Sequence, residues 1–326
     1  MRSEGGVSVG EGNRTLKLVA GNSNPELAQE ISEELGIPLS AAQVDRFPDG
    51  EISVHIKETV RGADVHVIQS TSPPVNDNLM ELLIIIDALK RASAHSIAAV
   101  IPYYGYARQD RKQKGRVPIS AKLVANLIQT AGANRVLTID LHVGQIQGFF
   151  DIPVDNLRVD PILADHLSGE FKGAKDAVVV SPDVNGVWRA RSVAKRLGLP
   201  LAIAEKRRTF SDNSAQVVNV IGEVEGKRAV IVDDIVSTGG TLIEVVKELK
   251  RMGATEISAA CTHGVFAGDV LSRLESFPIR RVMVTNTIAE TASSPLIQRI
   301  SIGRLFAKTI HRIYNKESVS VLFPHY

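Results

Sequence analysis

The chain has little cysteine, few aromatic residues, little net charge and no long apolar run. A single cysteine, Cys261, rules out an internal disulfide and points to a reducing compartment. It follows an apolar, strand-like run, so buried packing is a better reading than catalysis. Aromatic residues make up 5% of the chain, and the formal net charge is only +2 over 326 residues. That balance argues against a surface built chiefly to bind nucleic acid, although local basic clusters still suit phosphates. No apolar stretch reaches the roughly 18 residues a membrane helix needs, so no spanning segment is expected. Residues 1–13 are rich in Gly and Ser without an apolar centre, and read as a flexible tail rather than a signal peptide. What the chain does have is material for burial. Hydrophobic residues reach 44%, ample for two domains with a core each. The expectation is a cytoplasmic globular protein without a membrane or nucleic-acid partner.

Short apolar strands alternate with amphipathic helices along the chain. Strands are expected at 16–20, 65–69, 97–101 and 135–139, and again at 177–180, 201–204, 229–232, 257–261 and 281–284. Asn24-Pro25 starts a helix that Gly36 stops. Leu79, Leu82, Leu83, Ile86 and Leu89 carry helical spacing over 77–91, and Leu123, Val124, Leu127 and Ile128 do so over 118–131. This grammar predicts α/β architecture in two similar doubly wound domains, each a mainly parallel sheet flanked by helices, over 14–155 and 156–326. Ligands of such sheets bind beyond the carboxyl ends of the strands, so the polar strand-end segments are the ones to read for chemistry.

The most informative of these runs from Ala229 to Thr241. A β-branched strand ends in Asp233 and Asp234, and Thr238-Gly239-Gly240-Thr241 then opens a helix. Backbone N–H groups, two hydroxyls and a positive helix end converge at such a turn on a phosphate. The paired acids suit hydroxyl donors. Together they read as a site for a phosphorylated sugar.

Other segments are more open. Phe47, Asp49 and Glu51 put a ring beside two acids on a turn: a base-stacking site, or a turn with an ordinary core Phe. The run 101–112, with Arg108 and Gln109, reads as a nucleotide site or a solvated basic loop, with RNA stacking a third option. His142 and Asp183 at strand ends suit a divalent cation, although a lone histidine is more often structural. Lys206 and Arg208 leave a strand for a polar segment, either a loop closing over a phosphoryl group or a solvated charge run.

Taken together, these segments closely resemble the ribose-phosphate diphosphokinase family. The matching stretches are Phe-Pro-Asp-Gly-Glu at 47–51, the run at 70–82, Tyr-Ala-Arg-Gln-Asp-Arg-Lys at 106–112, the run at 140–150, Ser-Pro-Asp at 181–183 and the 233–241 loop. The resemblance implies a phosphoribosyltransferase-like fold and transfer of the diphosphate of ATP to the C1 hydroxyl of ribose 5-phosphate, with Mg2+. It implies ATP contacts from Arg108 and Gln109, and from Phe47, Asp49 and Glu51 of a neighbouring subunit. By the same resemblance His142 and Asp183 serve magnesium, and Lys206 and Arg208 belong to a mobile catalytic loop. Asp233 and Asp234 hold the ribose hydroxyls, with Ser237 a further, uncharged hydroxyl partner, and Thr238, Gly239, Gly240 and Thr241 cradle the 5-phosphate. A hexamer controlled by inorganic phosphate and ADP is implied too, through Thr59, Arg61, Ser318, Ser320 and Phe323. The tail at 318–323 reads equally as a closing edge strand. Two departures stand out: Ser237 where most members carry a third acid, and Asn185 where glycine is commoner, a site where a positive φ would be tolerated. The competing readings are a phosphoribosyltransferase and a non-catalytic regulatory homologue.

Overall fold

In the computed structural model, residues 14–208, 215–290 and 293–322 are described. Strand β1 (Leu16–Ala20) leads into helix α1 (Pro25–Leu35), both of whose ends are written in the sequence. The Asn24 side chain accepts a hydrogen bond from the Leu27 N–H at 3.2 Å, and Gly36 closes the helix at φ 65°. A hairpin of β2 (Ala42–Arg46) and β3 (Ile52–Ile56) stands apart as its own two-stranded sheet. Then come β4 (Asp64–Ile68), α2 (Val75–Arg91), β5 (Ser96–Ile101), α3 (Ser120–Ala131), β6 (Arg135–Ile139) and β7 (Val154–Leu157). Strands β1, β4, β5, β6 and β7 lie side by side in that order, all parallel.

The second half begins with α4 (Asp160–Phe171), β8 (Ala177–Ser181), α5 (Val187–Leu197), β9 (Leu201–Arg208) and β10 (Ala215–Ile221). It continues through β11 (Arg228–Val236), α6 (Gly240–Arg251), β12 (Glu256–Gly264), α7 (Val270–Glu275), β13 (Arg281–Thr285), β14 (Ile297–Ile300) and α8 (Gly303–Tyr314). The sheet order is β10-β9-β8-β11-β12-β13-β14, parallel except for β10. From β8 the chain winds outward to β9 and β10, then returns to place β11 on the other side of β8. The crevice beyond that reversal is where sheets of this kind receive ligands.

Two expectations are corrected here. Lys206 to Arg208 do not leave the strand: β9 runs to Arg208 and pairs antiparallel with β10, Arg208 opposite Ala215 and Lys206 opposite Val217. The apolar, β-branched run in 215–221 supplies that partner. The tail is not an edge strand. Ser320–Leu322 form a 3-10 turn, because the Ser318 and Ser320 hydroxyls bond each other at 2.6 Å and Ser318 Oγ also accepts from the Ser320 N–H. Such local bonds compete with strand pairing.

Three apolar clusters form, not one per half. Alternate residues of each strand face opposite ways, so Leu16 and Leu18 enter one cluster and Val19 another. One outer cluster lies between the first sheet and α2 and α3; the other lies between the second sheet and α6 and α7. The middle cluster joins the inner faces of both sheets to α1, α4, α5 and α8, with Phe171 and Phe306 fully buried in it. Each such ring contributes roughly 1.5–3 kcal/mol by burial. Because this layer is shared, the two halves hold each other in place. Polar ties add to it: Asn24 Nδ2 donates to the Asn286 carbonyl at 2.8 Å, and Ser70 Oγ to that of Thr287 at 2.6 Å. Among the described residues no helix is long and apolar enough to cross a membrane.

Candidate active site

The site begins with a mismatch in strand length. Strand β11 pairs with β8 only as far as Ile231 opposite Val180, yet with β12 as far as Val236 opposite Gly264. Its last five residues therefore have a neighbour on one side only, and Asp233 and Asp234 sit in that overhang. Successive side chains point to opposite faces. Asp234 turns toward the first half, where its Oδ2 lies 2.6 Å from Nδ1 of His142.

His142 reaches that position because the chain turns sharply after β6. Asp140 adopts a left-handed φ of 42°, and its Oδ2 accepts from Thr262 Oγ1 of β12 at 2.5 Å. Carboxyl ends from both sheets are thus pinned together. Burial would raise the pKa of Asp234, but the His142 hydrogen bond and the charge of Arg189 outweigh it and hold the carboxyl well below the usual range. Asp233 moves the other way, pushed up by burial and by the adjacent Asp234 charge. The same hydrogen bond raises the His142 pKa, against the opposing effect of burial.

Beyond the acids the chain makes the expected turn. Gly239 takes φ 73° and precedes the first residue of α6, a conformation open to glycine and costly for other residues. No N-cap side chain closes this helix, and a helix N-terminus of this kind favours an anion. A cavity of about 670 Å³ lies over these elements. Its wall includes Arg108 and His142 from the first half, Asp183 from the end of β8, and Asp233 through Thr241 from the second.

Two residues beneath this cavity escaped the sequence reading. Arg189 on α5 is 2% exposed, 4.0 Å from Asp140 Oδ2 and stacked on Trp188 at 4.5 Å. Its positive charge is felt by Asp140, Asp160, Asp233 and Asp234 together. Asp160 is fully buried and accepts from Arg158 Nε at 2.8 Å. The helix Val-Trp-Arg-Ala-Arg-Ser-Val-Ala-Lys-Arg-Leu carries four cations, and only the fold separates the buried one from the rest.

Comparison with known proteins now bears on the site. Residues 16–132 match the family model described as the N-terminal domain of ribose phosphate pyrophosphokinase. Residues 208–324 match the phosphoribosyl synthetase-associated domain. The ribose-phosphate pyrophosphokinase of Bacillus caldolyticus is 55% identical over 310 residues, covering 94% of this chain and 98% of its own. That of Thermotoga maritima is 56% identical over 309 residues, with the same shares. This chain belongs to the ribose-phosphate pyrophosphokinase family. The crystal structure of phosphoribosylpyrophosphate synthetase from Mycobacterium smegmatis superposes with a TM-score of 0.87 at 43% identity, over 93% of this chain and all of that one.

Within the ribose-phosphate pyrophosphokinase framework, the remaining expected residues fall into three groups. Arg108 lines the cavity; Gln109 does not, and its Oε1 accepts from Ser120 Oγ at 2.6 Å instead. Phe47, Asp49 and Glu51 form the exposed tip of the β2–β3 hairpin, outside this chain's cavity. Phe47 is 52% exposed, so it is not a core residue. Tyr103 and Tyr104 are buried, against His263 and Phe150, which leaves them unable to stack on RNA. Thr59, Arg61, Ser318 and Ser320 are exposed and away from the cavity. The side chains of Lys206 and Arg208, and all of Phe323, lie outside the described residues. Cys261 is buried as expected, and burial raises its pKa. Ser237 is half-buried in the cavity wall. Asn185 needs no positive φ; its N–H donates to Asp183 Oδ1 at 3.0 Å.

The donor set also bears on magnesium. Among the described residues no group of three or more metal-ligating side chains gathers, whereas His142, Asp183, Asp233 and Asp234 share one wall. Mg2+ commonly binds through one or two carboxylates with substrate phosphates and water completing its shell. The wall fits an ion carried in with a polyphosphate.

Proposed function

We infer that this chain is a ribose-phosphate diphosphokinase, joining ATP and ribose 5-phosphate to give phosphoribosyl diphosphate and AMP. One observation carries the reading: the phosphate turn and paired acids of the second half face Arg108 and His142 of the first across a single cavity. A transferase of one small phosphorylated sugar would need only the second half. Two half-sites in one cavity suit a donor and an acceptor held together.

In this reading residues 156–326 hold the sugar and 14–155 the nucleotide. The turn from Thr238 to Thr241 takes the 5-phosphate, with its backbone N–H groups and hydroxyls as donors, and Ser237 bonds a ribose hydroxyl. Asp233 and Asp234 accept from the ribose hydroxyls and so fix the C1 oxygen. Arg108 holds the polyphosphate; Gln109 reaches it only by giving up its bond to Ser120. The adenine end meets Phe47, Asp49 and Glu51 of a neighbouring subunit, which accounts for their position outside this chain's own cavity. His142 and Asp183 would hold magnesium, which supplies charge neutralisation on the polyphosphate.

The C1 oxygen attacks the β-phosphorus in line. A C1–O–P bond forms, the bond from the β-phosphorus to the bridging oxygen breaks, AMP leaves with that oxygen, and the hydroxyl proton passes to solvent. Rate enhancement comes from positioning and from cations around the developing charge. Lys206 and Arg208, on the β9 side of the β9–β10 ribbon, stabilise the transition state and the departing AMP. No covalent enzyme intermediate is required. Thr59, Arg61, Ser318, Ser320 and Phe323 belong to an effector site for phosphate and ADP in a hexamer, and a cytoplasmic setting suits a lone buried cysteine. The reading is tested with ATP labelled at its β-phosphorus. The label should appear in a ribose-linked diphosphate. Label in free phosphate, or none transferred, would refute it.

A further inference from the structure

Three consecutive carbonyls lead into the phosphate turn, and all three are held by one later segment. The Val236 carbonyl accepts from the N–H groups of Val265 and Phe266, at 2.9 and 3.2 Å. The Ser237 carbonyl accepts from the Ala267 N–H at 3.1 Å. The Thr238 carbonyl accepts from Arg273 Nη1 at 3.2 Å. In a trans peptide the carbonyl and the following N–H point in opposite directions. Tying back carbonyls 236, 237 and 238 therefore aims the N–H groups of Ser237, Thr238 and Gly239 away from the 265–273 segment. The first two ties are backbone bonds that any sequence would make. The third depends on one side chain.

That side chain is well placed for the task. Arg273 lies on α7, whose buried Val270 and Leu274 press on the turn from behind. A Cβ added to Gly239 would stand 2.5 Å from Val270 Cγ2 and 3.7 Å from Leu274 Cδ2. The apolar side of α7 thus closes on Gly239 while Arg273 reaches over to the carbonyl before it. The Arg273 side chain is 44% exposed, and its nearest carboxylate, Asp269, is 4.0 Å away. Little of the fold depends on it. The residue is absent from the cavity wall, so it acts on the sugar phosphate through the turn.

We propose that Arg273 is a positioning residue for ribose 5-phosphate, fixing the Thr238–Gly239 peptide so that its N–H faces the phosphate. The proposal rests on the sugar assignment made above. A guanidinium also donates with a full charge, which makes this a stronger latch than a neutral donor.

The experiment is steady-state kinetics of full-length Arg273→Met and Arg273→Lys, with both substrates varied. Arg273→Met should raise the KM for ribose 5-phosphate about tenfold, as expected for loss of one charge-assisted hydrogen bond. Its kcat at saturating sugar and its KM for ATP should stay within about twofold of wild type. Arg273→Lys, which keeps a charged donor of different reach, should recover part of the sugar KM. Melting temperatures of both variants should match wild type, separating a positioning role from a structural one. A sugar KM within about twofold of wild type in Arg273→Met would overturn the proposal. So would equal rises in both KM values with a lowered melting temperature. If wild type itself released no AMP in response to ribose 5-phosphate, the sugar assignment would fail first, a result distinct from either.

Discussion

Replacing Arg189 by methionine tests how the acids of the site are tolerated. Methionine fills much of the same volume but removes the charge. It leaves Asp140, with a side chain of 0% exposure and an Oδ1 without a hydrogen-bond partner, without the guanidinium that most offsets its burial and still beside the Asp160 charge. Breaking a buried pair from one side costs about 3–5 kcal/mol. That is a large part of the roughly 5–15 kcal/mol by which folded proteins are stable. At roughly 2 °C per kcal/mol for a chain this size, the melting temperature should fall by about 6–10 °C. A double-mutant cycle sharpens the test. If the cost comes from an uncompensated carboxylate, Asp140→Asn should be destabilising alone yet restore at least about 1 kcal/mol in the Arg189→Met background. Thermal melts and denaturant midpoints of the four proteins supply the numbers. A loss below about 1 kcal/mol for Arg189→Met, or strictly additive costs in the cycle, would show that Arg189 does not offset the Asp140 charge.

Three further outcomes are expected. Gly239→Ala combines a left-handed φ with a 2.5 Å approach to Val270. It should cost about 2–4 kcal/mol and raise the sugar KM more than the ATP KM; equal effects on both would argue against the phosphate turn. His66 is buried with neither ring nitrogen hydrogen-bonded, and burial lowers its pKa to about 4. The unfolded chain therefore binds a proton first as pH falls below about 6.5, so this contribution is full above 6.5 and is lost progressively toward 4. At pH 5 it should amount to about 2 kcal/mol. Denaturant midpoints at pH 7 and 5 should show that loss added to the one from His263, whose pKa burial also lowers to about 4, and His66→Leu should remove only the His66 share; an unchanged slope would mean the ring is not the source. Lys206→Ala should reduce turnover by orders of magnitude while ATP binding persists, and comparable losses in binding would contradict its role on the transition state.

Much of the architecture was legible because local signals agreed with the global fold. Asn24 and Gly36 bracket α1 as the sequence implies, and strand, glycine turn and helix follow one another from Ala229 onward as expected, except that β11 does not end at the acid pair but carries it and runs on to Val236. What could not be read depends on partners distant in sequence. The length of β11 past β8 is set by where β8 stops, so the overhang carrying Asp233 and Asp234 has no local signature. Strand β10 needed β9 beside it before its pattern had meaning. The shared middle core was invisible because strands buried on both faces show no alternation to say which neighbour each face meets. Arg189 and the exposed Arg191 sit two residues apart on one helix, and composition alone does not distinguish them. Arg273 matters through a carbonyl 35 residues away. Phe47 shows the reverse case: its motif was readable, but the cavity of this chain does not include it.

Donor and acceptor are held to react in this one cavity. The most direct measurement is AMP release from ATP with magnesium, by the wild-type full chain, with and without ribose 5-phosphate. AMP should form only when the sugar is present, matched one for one by phosphoribosyl diphosphate. AMP formed equally without the sugar, or no AMP with it, would mean that the two substrates do not react in this cavity.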